Sequence, residues 1–224
     1  EDKSKQSSDE TNWTEFDTKI YKNFKAALEA RNKLAEEAED KTEKENLKVD
    51  YVVPTAGETI SLGEAKMTFY GPLENDYQYG RTVDLNTRQE NKYSIVTKIV
   101  YGSNSFLMTG DAQKETIEKI IAKGYDLTAQ VLKEPHHGYQ DVRLQDKPKG
   151  RYVYDSDHKY LIDRTGASIA IISNGYMNTG GVPYTKVLRD LSKLDVYETG
   201  DRGTIIVTSD GSQLSIQTEK GDNQ

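Results

Sequence analysis

Glu134-Pro135-His136-His137-Gly138 holds two of the three histidines in a chain of 224 residues, and it follows directly on the apolar stretch Ala129-Gln130-Val131-Leu132-Lys133. A short apolar run closed by Pro and Gly reads as a strand leaving the core for a loop. Adjacent imidazoles on such a loop can direct ligands at a metal ion or a phosphoryl group. Two polar residues in a solvated turn would leave the same trace. Upstream stands Ser105-Phe106-Leu107-Met108-Thr109-Gly110-Asp111-Ala112, where an apolar strand ends in Thr-Gly-Asp and a helical stretch, Gln113 to Lys123, begins at once. Asp111 thereby falls at the carboxyl end of a strand, the place where layered α/β folds face their ligands. A helix N-cap would account for it as well. The order, a carboxylate and then paired histidines, each after a strand, points to one site.

Composition narrows the chemistry. With 34% hydrophobic residues and a mean hydropathy of −0.81, the apolar side chains must be concentrated in the strands. The net charge of −7 and pI near 5.2 disfavour indiscriminate binding of a nucleic-acid backbone. A bound cation could still supply a positive field to a phosphodiester. There is no cysteine, so disulfides and thiolate metal sites are excluded. Any metal would rest on His, carboxylate, carbonyl or water. No apolar run is long enough to span a bilayer, and no signal peptide is visible. The first residue is Glu rather than Met, which suggests a processed or trimmed product. Fifteen tyrosines, abundant lysine and no cysteine suit an extracellular or bacterial cell-surface protein.

Along the chain, residues 1–15 read as a disordered polar linker and 219–224 as a polar tail, leaving 16–218 as the folded domain. Phe16 to about Asn46 has a helical period, with Ile20, Phe24, Ala27, Leu28, Leu34 and Ala38 on one face. The acidic run Glu36 to Asp40 extends it or forms a solvated face. Strands are predicted at Val49–Pro54, Thr59–Leu62 and Ala65–Tyr70, with Gly63-Glu64 as the hairpin turn. Glu74 to Glu90 is a polar loop carrying Tyr77, Tyr79 and Arg81. Tyr93–Val100 and Ser105–Met108 form a second hairpin. A polar segment from Tyr139 to Arg164 holds Asp155-Ser156-Asp157-His158, which lacks the glycine and the terminal glutamate of a calcium loop. Ala167–Ser173 is a buried strand, Asn174–Pro183 a Gly/Asn-rich loop and Tyr184–Lys193 a helix. The last strands are Val196-Tyr197, Thr204–Ser209 and Gln213–Gln217, the final two joined by Asp210-Gly211. Strand blocks with intervening helices imply an α/β fold of layered sheet and helix.

The series Asn91-x-x-Ser94-Ile95-Val96, Phe106 to Ala112, Val131-Leu132-Lys133-x-x-His136-His137-Gly138, Ile171-Ile172-Ser173 and Gly203-Thr204-Ile205 through Ser209-Asp210-Gly211 resembles the metallo-β-lactamase-like hydrolases. Within them it is similar to the C-terminal domain of competence DNA-uptake channel proteins. The resemblance runs from Val49 to Ile216 and implies the C-terminal half of an αββα sandwich with one or two metal ions at its edge, usually zinc, with manganese as the other option. It implies that Asp111 is a metal ligand and that His136 and His137 are the histidine candidates, one imidazole a ligand and the other near the substrate. His137 is the catalytic candidate, and Asn91, Ser94 and Tyr139 are the substrate-binding ones. The metal would activate water for attack on a phosphodiester or related ester.

Two departures accompany the matches. The family's His-x-His-x-Asp-His motif is absent from the chain, so the N-terminal half of the fold would have to come as a partner segment. Val182 stands before Pro183 where this branch often has His, and Tyr139 where it has Ser. The expectation is therefore a hydrolase site incomplete in this chain and inactive alone. The alternative is a metal-free member of the fold that binds or scaffolds. Nucleic acid is disfavoured as a partner by the acidic charge, and the substrate is a small or polymeric ester.

Overall fold

In the computed structural model, residues 19–50, 52–73, 91–139, 141–144, 152–155, 159–178 and 180–221 are described. They fall in two compact units, Glu1–Val53 and Pro54–Gln224. The first contains α1 (Lys19–Glu37) and α2 (Lys41–Leu47). A single helix to about Asn46 was expected. It is broken because Asp40 caps a new helix, its carboxylate accepting from the Glu43 amide at 2.8 Å. The strand expected at Val49–Pro54 does not form among its described residues. Asn32 explains why: its side chain accepts from Val49 N at 2.8 Å and donates to Val49 O at 3.0 Å, so these backbone groups are satisfied without a ladder.

The second unit is built on one mixed sheet. β1 (Thr59–Leu62) and β2 (Ala65–Gly71) pair antiparallel about Gly63-Glu64, and β3 (Val96–Tyr101) and β4 (Asn104–Met108) continue the antiparallel run. Asn91–Tyr93, partly expected as strand, is a single 3-10 turn. From β4 onward the pairing becomes parallel. α3 (Lys114–Ala122) leads to β5 (Val131–Lys133), which lies parallel to β4. The segment expected only as polar contains the separate hairpin β6 (Asp141–Leu144) and β7 (Tyr152–Asp155), then α4 (Lys159–Thr165). β8 (Ile169–Ile172), α5 (Thr185–Asp190) and β9 (Asp195–Glu198) complete the sheet, in the order β1-β2-β3-β4-β5-β8-β9. The short helix α6 (Thr199–Arg202) precedes the hairpin of β10 (Ile205–Ser209) and β11 (Leu214–Thr218). The chain is thus an α/β protein with a seven-stranded mixed sheet.

Alternation assigns the sheet its core face. Tyr70, Val96, Leu107 and Leu132 meet Ile117 and Ile120 of α3 and Leu161 of α4, while Ala170 and Ile172 pack on Val187 and Leu191. Each of these valine, leucine and isoleucine side chains, fully buried, contributes about 1.5–3 kcal/mol of transfer free energy. The β10–β11 hairpin is tied to the β3–β4 turn: buried Asn104 donates to Ser209 Oγ at 2.7 Å and to Gln213 O at 3.1 Å. At Gly102 a Cβ would stand 2.0 Å from Gly211 O, so only glycine permits that approach. Among the described residues no helix is long and apolar enough to cross a membrane. The expectations for residues 1–15, for Glu74–Glu90 with Tyr77, Tyr79 and Arg81, and for the Ser156-Asp157-His158 part of the calcium-like stretch lie outside the described residues.

Candidate functional site

Three loops meet at the carboxyl ends of β4, β5 and β8. The first turns through Thr109-Gly110-Asp111. Gly110 has φ +55, which glycine adopts without strain, and the Asp111 amide donates to Ser94 Oγ at 3.1 Å. Asp111 does not cap the helix, because the N-cap of α3 is Gln113, two residues later. Its carboxylate is free of that role and faces the second loop.

The second loop, Pro135–Gly138, holds three consecutive residues in left-handed conformation: His136 at φ 47, His137 at φ 60 and Gly138 at φ 73. Non-glycine residues pay about 1–2 kcal/mol each for this backbone. Such strain persists where surrounding contacts over-determine it. Those contacts are specific. His136 N donates to Gly110 O at 3.1 Å, Tyr139 N to His136 O at 2.8 Å, and Tyr184 N to Gly138 O at 3.0 Å. A Cβ on Gly138 would lie 2.6 Å from Pro183 Cβ, so the turn seats directly on Pro183, in the third loop, which runs from the end of β8 to α5.

The two imidazoles are held differently. His137 Nδ1 donates to the carbonyl of Ser173, just past β8, while its Nε2 lies 3.4 Å from Asp111 Oδ1. When that ring is neutral, Nε2 carries a lone pair, so two acceptors face each other across that distance. A metal-ligating histidine commonly donates its second ring N–H to a carbonyl in this way. His136 Nε2 instead accepts from Asn91 Nδ2 at 3.1 Å, and its Nδ1 is buried. Its ring lies 5.0 Å from that of Tyr139, which meets Tyr184 edge-on at 5.0 Å.

The predicted residues therefore gather in one place. Asp111, His136, His137, Asn91, Ser94 and Tyr139 all border it, but they do not all present free donors to a ligand. Asn91 and Ser94 each commit a polar atom to the site's own framework, to His136 and to the Asp111 amide. His158 lies outside the described residues. Lys133 and Ser173 were not predicted as site residues. Lys133 ends an apolar strand and donates to Gly110 O at 3.0 Å. Burial pushes its ammonium pKa below the usual lysine range, opposed by the nearby Asp111 and Glu134 carboxylates. A lysine closing an apolar strand was a signal available in the sequence. The Ser173 contact uses a backbone carbonyl, which no residue type betrays.

The donor set fits one edge of a metal shell. Ligands at zinc–nitrogen and zinc–oxygen distances of about 2.0–2.2 Å, set at a tetrahedral angle, stand about 3.3–3.5 Å apart. Asp111 Oδ1 and His137 Nε2 are 3.4 Å apart, longer than the 2.7–2.9 Å or so of a charge-assisted hydrogen bond. Among the described residues no group of three or more His, Asp or Glu side chains converges.

Fold and site together define an α/β protein with a carboxylate–imidazole pair at the carboxyl edge of a mixed sheet. No family model matches the chain. Over 133 residues, 58% of its length, the chain is 31% identical to Recombination protein 2 of Haemophilus influenzae (strain ATCC 51907 / DSM 11121 / KW20 / Rd). The match spans 15% of that protein.

Proposed function

We propose that this chain is part of a metal-dependent hydrolase of a phosphodiester or related ester, with the metallo-β-lactamase-like αββα arrangement. The carrying observation is the 3.4 Å approach of Asp111 Oδ1 and His137 Nε2, with His137 Nδ1 secured on a backbone carbonyl. In this reading Asp111 and His137 hold the metal, zinc or manganese. His136, engaged by Asn91, supports the turn and lines the substrate side with Tyr139. A divalent cation there supplies Lewis acidity toward a phosphoryl or acyl oxygen and a lowered pKa for water. The similarity to a protein named for recombination is in keeping with a phosphodiester substrate.

Two donors are fewer than the three protein ligands usual for catalytic zinc. The remaining ligands belong, in this reading, to a partner segment bearing the His-x-His-x-Asp-His motif. The sheet supports such a segment. Its parallel strands would ordinarily be covered on both faces, yet Ile169 and Ile171 remain half-buried on the face away from the helices. By itself the chain is expected to show negligible hydrolysis. A bacterial surface or extracellular setting completes the proposal.

Manganese titration followed by NMR line broadening tests it. Broadening is expected to centre on Asp111 and His137 and to disappear in Asp111→Ala. Broadening that is absent, or indifferent to the substitution, would favour a non-catalytic binding or scaffolding domain, a reading that Val182 before Pro183 also suits.

A further inference from the structure

Asp111 and His137 sit on loops from different strands, and their separation depends on what joins those loops. Three hydrogen bonds do so. Thr109 Oγ1 donates to Lys133 O at 2.7 Å, His136 N to Gly110 O at 3.1 Å, and Lys133 Nζ to Gly110 O at 3.0 Å. Two of the three converge on one acceptor, the carbonyl immediately before Asp111.

The lysine is the costly member of this set. Fixing its long side chain sacrifices up to about 2 kcal/mol of rotamer entropy, and burying its ammonium carries a desolvation penalty. An apolar residue would satisfy a sheet position beside Val131 more cheaply. The neighbouring loop meanwhile has two histidines in left-handed backbone, a conformation that relaxes unless it is tethered.

We propose that Lys133 is a positioning residue, its ammonium bolting the Gly110 carbonyl to the end of β5 and so fixing the distance from Asp111 to His137. This role rests on the contacts among Thr109, Gly110, Lys133 and His136. Its consequence for metal affinity rests on the reading given above.

The test uses the full chain, metal-free, with Lys133→Met and Lys133→Arg. Amide hydrogen exchange is read at His136, whose N–H shares the Gly110 acceptor, and at Asp111. In Lys133→Met both amides are expected to exchange at least tenfold faster, with the amides of α3 and β8 unchanged, and Lys133→Arg should restore most of the protection. Unchanged exchange at His136 and Asp111 would overturn the proposal. So would acceleration of equal size throughout the sheet, or a chain that fails to fold, because Lys133 would then be a general stability residue. Manganese affinity is measured alongside: loss of the cation near Asp111 would by itself raise it, so a fall of about tenfold in Lys133→Met, restored in Lys133→Arg, is the result expected of lost positioning. A wild-type chain that takes no manganese would sink the metal reading, while the exchange rates would still decide the role of Lys133.

Discussion

Lys98 is 8% exposed in the middle of β3, and its ammonium donates to Asp126 Oδ2 at 2.6 Å, Asp126 O at 3.2 Å and Thr128 Oγ1 at 3.3 Å. The Lys98 hydrogen bond and those from the Thr128 backbone and hydroxyl hold the Asp126 carboxyl at about 2, below its ordinary 3.8. Because the folded value is the lower one, the stabilisation is complete above about pH 4 and is lost as pH falls toward 2. Asp126 is 64% exposed, so solvent screening limits the contribution to about 1 kcal/mol. Lys98→Met is therefore expected to be less stable than wild type by roughly that amount at pH 6. The gap should close by pH 2, as read from urea midpoints across the range. A gap that does not change with pH would remove the ion pair from the explanation. At this same scale the paired histidines separate: one imidazole is committed to Ser173 and faces Asp111, and the other is committed to Asn91.

Among the elements, the β10–β11 hairpin has no ladder to the seven-stranded sheet, since it forms a two-stranded sheet of its own. Its tip is held by Asn104, whose side-chain nitrogen reaches Ser209 and Gln213, and by the Ser103 amide on Gly211 O at 2.7 Å. Asn104→Ala is expected to cost about 1–3 kcal/mol, the penalty for leaving buried polar groups without partners. Hydrogen exchange should rise first in Ile205–Thr218, with β5 and β8 retaining their protection. Equal loss across both sheets would mean that the hairpin and the main sheet open as one unit. The helices follow a related lesson. Asp40 divides the expected long helix because a short carboxylate satisfies an orphan amide more readily than another helical turn would.

For the whole molecule, charge is the governing property. A net charge of −7 repels a polyphosphate backbone, so filter binding of single-stranded DNA at low salt is expected to give no retention without a divalent cation. Metal-independent retention would show that local basic groups outweigh the overall field and would reopen the nucleic-acid reading. The sheet adds a second global feature. It changes from antiparallel to parallel pairing at β4, and the candidate site lies at the carboxyl ends of the strands on the parallel side.

The sequence by itself determined which residues could carry chemistry. Asp111 after an apolar strand, and His136-His137 after another, were legible because residue type and strand-to-loop punctuation are local properties. The hairpin at Gly63-Glu64 and the strands around the site were legible for the same reason. The strand expected at Val49–Pro54 was not, because Asn32, seventeen residues before Val49, takes up the Val49 backbone groups. Tertiary structure alone decided which imidazole faces Asp111, since that depends on the carbonyl of Ser173, thirty-six residues beyond His137. It also decided that Lys133 joins two loops. Such contacts are made between backbone groups and side chains brought together by the sheet, and sequence spacing carries no record of them.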